Sequence, residues 1–157
     1  MCVDVGNNAY SFGRYFEPSN QTFLMSGYLG SIGFAFPAAI GAWAAVGHTR
    51  PIIAVAGDGG FCQYLADFTT AVKYSMPIKV IVINNNELGK ISKEQRAGGW
   101  STWVTDLVNP NFASFAESCG AFGKQVNDRK VLHQALIQLF EHDGPGLIEI
   151  AADVQLI

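Results

Sequence analysis

The chain has 157 residues, 49% of them hydrophobic and 15% charged, and a formal net charge of -3. That balance suits one heavily buried α/β core and excludes a disordered chain; without basic runs it also argues against a nucleic-acid partner. No apolar run reaches the length of a membrane span, and Met1 to Asp4 does not read as a signal peptide, so a cytoplasmic protein with no transmembrane segment is expected.

In chain order, Cys2 to Val5 reads as an apolar strand stopping at Gly6. Asn7 to Asn20 is polar and aromatic, contains Gly13 and Pro18, and is expected to be a long loop. Phe23 to Ser26 predicts a short strand, and the glycine-rich turn Gly27 to Gly33 leads into a helix of small residues ending near Val46. Ile52 to Ala56 is a second apolar strand, ending at Gly57-Asp58-Gly59-Gly60. Phe61 to Tyr74 predicts a helix with Leu65, Phe68, Thr69 and Val72 inward, and Met76-Pro77 stops it. Ile78 to Ile83 is the next strand and runs into Asn84-Asn85-Asn86.

Beyond the asparagines, Glu87 to Arg96 predicts a short helix with Lys90, Lys93 and Glu94 outward; Lys90 could touch a phosphate or substrate carboxylate but is read as a solvated lysine. Ala97 to Asn109 carries Gly98-Gly99 as a hinge, with Trp100 and Trp103 exposed; it is expected to be the most mobile segment, capping a site or meeting a neighbouring domain. Asn109 is the expected cap of a helix with Pro110 at its first position, Phe112, Phe115, Ala116 and Cys119 as its buried stripe, and Gly120 at its end. Phe122 to Val126 predicts a strand, and Asp128 caps the last long helix. Its apolar face is Val131, Leu132, Ala135, Leu136, Leu139 and Phe140. Gly144-Pro145-Gly146 turns into a final strand, Leu147 to Ala151. The sum is a three-layer α/β/α domain over residues 1–157, with a mainly parallel, doubly wound sheet and right-handed crossovers.

The chemistry concentrates where two strands end. Parallel strands bind ligands outside their carboxyl edge, and here one strand delivers Asp58 and the next Asn85. A carboxylate, an amide oxygen and a backbone carbonyl after Asn86 suit Mg²⁺, which takes oxygen ligands and shares them with substrate phosphates. Gly59 and Gly60 let phosphate oxygens approach backbone N–H groups at a helix start. A nicotinamide-type dinucleotide site would need G-x-G-x-x-G and an acidic residue after the next strand; that strand ends in amides. The turn Gly30-Ser31-Ile32-Gly33 is a second constellation, open to a plain reading as a strand-to-helix turn with Ile32 in the core.

The coupled pattern strand–GDGG–helix–strand–NN resembles the diphosphate-binding motif of thiamine diphosphate (ThDP) enzymes. The strings GDGGF, MPIKVIVINN, ELG, RAGG, NFASFAESCGAFG and GPGLIEI look most like the pyruvate oxidase and acetolactate synthase group. Acetolactate synthases usually continue with a Gln-Gly-Met type sequence; Leu88-Gly89-Lys90 stands here and tilts the resemblance toward the oxidases. The resemblance implies that Asp58, Asn85 and the carbonyl of Glu87 hold Mg²⁺, and that Gly57, Gly59, Gly60 and the Asn85–Gly89 backbone, Leu88 included, hold the diphosphate. It implies that Gly30, Ser31 and Ile32 hold the aminopyrimidine, with Ile32 wedged beneath the bent cofactor.

The same resemblance implies decarboxylation of a 2-oxo acid such as pyruvate in a homo-dimer or tetramer. The activating glutamate is expected on a pyrimidine domain of the same or another chain, so this chain alone should be inactive, and FAD would sit on a further domain. The alternatives are an acetolactate synthase-like carboligase, the separate diphosphate-binding subunit of a split decarboxylase of the sulfopyruvate decarboxylase type, or a non-catalytic ThDP-binding module.

Cys2, Cys62 and Cys119 show no paired spacing and suggest reduced thiols. With nothing basic beside it, Cys62 is not expected to be a nucleophile, and Cys119 is read as buried and inert. His48, His133 and His142 are scattered and read as non-catalytic, with no zinc spacing and no Ser-His-Asp set.

Overall fold

A computed structural model describes residues 1–155. Its sheet has six strands, all parallel: β1 (Cys2–Val3), β2 (Leu24–Met25), β3 (Ile52–Gly57), β4 (Ile78–Asn84), β5 (Phe122–Val126) and β6 (Gly146–Ala151), in the order β2-β1-β3-β4-β6-β5. The helices are α1 (Asn7–Tyr15), α2 (Ala35–Val46), α3 (Asp58–Cys62), α4 (Phe68–Lys73), α5 (Gly89–Ala97), α6 (Phe112–Ser118) and α7 (Arg129–Glu141). From β1 the chain moves outward to β2 and then returns to start β3 on the other side of β1. The strand order reverses between β1 and β3, and a crevice opens at their carboxyl ends, where open α/β sheets place ligands.

The centre of the sheet, β3, β4 and β6, is its buried part, while β2 at one edge stays exposed. Ile52, Ala54 and Ala56 of β3 align with Ile78, Val80 and Val82 of β4 and meet Phe36, Phe61, Phe68 and Phe112 beneath α2, α4 and α6. Phe61 stands edge-on to Phe36 and Phe112, with ring centroids 5.6 and 5.7 Å apart. On the other face α7 packs Ala135 and Leu139 against Val126 and Ile148. Burial of a large side chain contributes roughly 1.5–3 kcal/mol, so the four fully buried phenylalanines anchor the layer directly under the crevice. No helix among the described residues is long and apolar enough to cross a membrane.

Several local expectations change. Residues 7–15, expected in a loop, form α1. Asn and Gly are poor helix formers, but Phe12 and Phe16, one turn apart, stack at 4.5 Å and both pack edge-on to Phe23. Tertiary contact overrides propensity there. The helix expected over Phe61 to Tyr74 is broken into α3 and α4 by non-helical Tyr64 and a 3-10 turn over Leu65–Asp67, and Thr69 is exposed rather than inward. The break falls where Tyr64 lies over Gly33, so close that a Cβ on Gly33 would sit 2.6 Å from its ring.

The cap of α6 is Asn111, which accepts from the Ser114 N–H at 2.7 Å, and not Asn109. In α7 the ends of the expected face, Val131 and Phe140, stay about half exposed, because only the central turns meet the sheet. The segment after α5 is tied back at several points. Trp103 and Gln95 exchange two hydrogen bonds, and the N–H groups of Leu88 and Leu107 donate to the carbonyls of Thr105 and Asn86. Trp100 and Trp103 are exposed, as expected.

Candidate functional site

The crevice at the switch point is a cleft of about 200 Å³. All the site residues expected from the sequence line it, Ser31 excepted; Ser31 is exposed beside it. Three strand ends build it: β1 supplies Val5 to Asn8, β3 supplies Gly57 to Gly60, and β4 supplies Asn85 to Ile91.

Asp58 is the first residue of α3 and is 3% exposed. Its Oδ2 accepts from Asn109 Nδ2 at 2.7 Å. Burial raises the carboxyl above its ordinary range, while hydrogen bonds from Asn109 and from the Gly59 and Asn86 backbone pull the other way. A carboxylate that is buried, and held by a neutral amide rather than a cation, is poised to accept positive charge. The charge of Asp58 also raises the Cys62 thiol, after burial as the larger cause, which keeps that sulfur protonated.

Opposite Asp58, the triple asparagine folds into a tight turn. Asn85 Oδ1 accepts from the Glu87 N–H at 3.1 Å, Asn86 takes a left-handed φ of 55°, and the Glu87 carbonyl accepts from the Gly89 N–H at 2.8 Å. Asn tolerates this conformation better than most residues. An amide or carbonyl oxygen has two acceptor sites, so Asn85 and Glu87 are each held by one bond with one site left. With Asp58, this gives three oxygen donors on two adjacent strand ends, and the donor set fits a hard cation. Among the described residues no cluster of three His, Cys, Asp or Glu offers a softer metal site.

Space in the cleft depends on missing side chains. A Cβ on Gly59 would come within 2.9 Å of Leu88, one on Gly60 within 2.7 Å of Asp4 Oδ2, and one on Gly89 within 2.5 Å of Asn7 Nδ2. At Gly60 the obstacles are a buried carboxylate and the Gly33 backbone, at Gly59 and Gly89 the ends of side chains, and all three line the cleft without side chains of their own, as a phosphate site needs.

Several residues of the site are not expected from the sequence. Asp4, 1% exposed, accepts from the Gly33 N–H with both oxygens at 3.0 Å and from the Ala35 N–H at 3.4 Å, so it ties β1 to the turn before α2. Burial raises this carboxyl too. Asn109, expected as a helix cap, instead directs its amide nitrogen at Asp58 Oδ2, Asn84 Oδ1 and Asn86 Oδ1, and so cross-links both halves of the motif. Glu149 accepts from Asn84 Nδ2 at 2.8 Å and from the first N–H groups of α6. Asn7 lines the cleft with a buried Oδ1 that has no partner. An acidic residue inside the apolar run Leu147 to Ile150 is a signal that could point to Glu149; nothing in the local sequence marks Asn109.

These features suit an anionic ligand and a cation at a sheet's carboxyl edge, and the family follows. Residues 4–150 match the model of the thiamine pyrophosphate enzyme C-terminal TPP binding domain, and the chain belongs to that family. Over 151 residues it is 40% identical to YdaP of Bacillus subtilis, whose name describes a thiamine pyrophosphate-containing protein; the match covers 96% of this chain and 26% of YdaP. It is 32% identical to a protein named as an acetolactate synthase large subunit in Methanococcus aeolicus, over 98% of this chain and 26% of the relative. It is 34% identical to a mitochondrial acetolactate synthase catalytic subunit of Aspergillus candidus, over 85% of this chain and 19% of the relative. The chain therefore spans about a quarter or less of the length of these curated relatives.

Proposed function

We propose that this chain holds the diphosphate and Mg²⁺ of ThDP within a 2-oxo acid decarboxylating enzyme. The observation that carries the reading is the meeting of Asp58, Asn85 and the Glu87 carbonyl across one cleft floored by Gly59 and Gly60. Bound ThDP supplies a sink for the electron pair left when a 2-oxo acid loses CO₂. The chain's own part is binding and orientation. Asp58, Asn85 and Glu87 hold the cation; Gly57, Gly59, Gly60 and the backbone from Asn85 to Gly89, through Leu88, hold the diphosphate. Gly30 and Ile32 meet the aminopyrimidine, with Ile32 beneath it and Ser31 at the rim. The unpartnered Asn7 Oδ1 supports this reading, since a buried polar atom without a partner costs about 1–3 kcal/mol and a ligand donor would relieve it.

A pyrimidine domain, on the same or another chain in a dimer or tetramer, would complete the site with its glutamate. Two finer readings divide at the product. Leu88-Gly89-Lys90 favours a pyruvate oxidase-like reaction, with FAD on a further domain; the names of the Methanococcus and Aspergillus relatives favour carboligation to acetolactate. Incubation of the whole enzyme with pyruvate separates them: acetolactate without an added acceptor marks the synthase, and acetate with reduction of quinone or oxygen marks the oxidase.

The reading is tested first by calorimetry of ThDP binding in Mg²⁺. Asp58→Ala should weaken binding by about a hundredfold or more, because it removes the only charged ligand. Unchanged affinity in the variant would remove the metal assignment.

A further inference from the structure

Beside the diphosphate cleft lies a second, wider hollow of about 390 Å³, walled by Ala9 and Tyr10 of α1 and by Met25, Ser26 and Gly27 after β2. The two share Val5, Gly6, Gly30 and Lys90. Among the described residues Lys90 is thus the one cationic side chain lining either space, and it stands on their common wall. The first cleft carries the acidic groups Asp58 and Glu87, whereas the described wall of the second bears no carboxylate.

The placement of Lys90 runs against helix electrostatics. It is the second residue of α5, where the helix dipole disfavours a cation. A lysine four residues before its glutamate is also the weaker orientation of such a pair. Yet the ammonium is held from two sides: Glu94 pairs with it along the helix, and the Tyr10 ring lies 5.5 Å away on α1. Its side chain is 30% exposed against 59% for Glu94, so the lysine leans into the wall and the glutamate stays in water.

We propose that the second hollow receives the 2-oxo acid and that Lys90 is a specificity-determining residue binding the substrate carboxylate. This deepens the function proposed above and rests on it. The apolar contacts of Ala9 and Met25 suit the short acyl side chain of such a substrate, and the ammonium suits its carboxylate. Tyr10 and Glu94 fix the ammonium beforehand, which lowers the ordering cost of binding. Glu94, more exposed, can give up its partner to an incoming carboxylate and remain hydrated.

The test uses the whole enzyme loaded with ThDP and Mg²⁺, and the variants Lys90→Gln and Lys90→Arg. Loss of one charge-assisted hydrogen bond should raise KM for pyruvate about tenfold or more in Lys90→Gln, with recovery in Lys90→Arg. Calorimetry with acetylphosphonate, an anionic pyruvate mimic, should show the same loss at equilibrium, and the neutral ester methyl pyruvate should not distinguish Lys90→Gln from the unaltered enzyme. ThDP affinity, followed by tryptophan quenching, should fall less than the affinity for acetylphosphonate, since the first cleft keeps Asp58, Asn85 and the Glu87 carbonyl while Lys90 stands on the shared wall. An unchanged KM for pyruvate would overturn the proposal. A large loss of ThDP affinity with pyruvate binding intact would reassign Lys90 to the diphosphate. Failure of the unaltered enzyme to bind ThDP at all would instead overturn the underlying function.

Discussion

The turn after β3 and the turn before α2 both face the crevice, but they are built differently. Gly57 to Gly60 is locked from within: Asp58 is buried, Asn109 holds it, and Asp4 lies against Gly60 while binding the backbone of Gly33. In the turn that starts at Gly27, Tyr28 is 98% and Leu29 78% exposed, and Gly30 has open space where a Cβ would go. The first turn is preorganised by the chain's own polar groups. The second offers its side chains outward, and only Gly33 at its end is anchored. A cradle for charge needs that internal scaffolding, because each buried polar atom must find a partner; a contact surface does not.

Substitutions at glycine should expose this difference most sharply. In Gly60→Ala the new methyl meets a buried carboxylate at 2.7 Å and the Gly33 nitrogen at 3.2 Å. Neither can retreat cheaply, so a loss of about 2 kcal/mol or more is expected. Gly30→Ala meets no atom and suffers only from its left-handed φ of 62°, a cost of about 1 kcal/mol. Urea unfolding of both variants checks the order; equal losses would mean that the two turns are equally packed.

A smaller effect is expected from Asp4. Burial raises its carboxyl, so the folded chain binds that proton more tightly than the unfolded chain does. The associated stability is fully present below the ordinary carboxylate value and is lost as pH rises through the raised one. In EDTA the urea midpoint should fall over that interval. Asp4→Asn should flatten the fall, although Asp58, also raised, retains its own part. A pH profile identical in the variant would show that Asp4 does not titrate differently on folding.

Smallest of all, Tyr28→Ser should shift stability by no more than about 0.5 kcal/mol, since the ring is almost wholly exposed. A larger loss would show that the second turn is packed after all and would erase the contrast. Thermal unfolding is sufficient to decide it.

Much of the site is legible in the sequence because its parts are short-range patterns. Alternating apolar residues mark β3 and β4, and the residues just beyond a parallel strand must lie at its carboxyl edge. The strand pattern alone therefore puts Asp58 and Asn85 side by side, and the cleft contains both. The three-layer parallel fold follows from the same strand and helix periods.

Long-range pairing is not legible in the same way. Asn109 reads locally as a cap beside Pro110, yet its amide lies against Asp58, 51 residues away in sequence. Asp4 reads as part of the first strand, yet it holds Gly33 across 29 residues. The stack of Phe12 and Phe16, which also packs on Phe23, turns an expected loop into α1. Local sequence determined which segments become strands and which chemistry their ends carry, because backbone sterics and apolar periodicity act over a few residues. Only the tertiary structure decided which polar groups satisfy one another in the buried crevice, because that choice depends on groups brought together by the crossing of the chain.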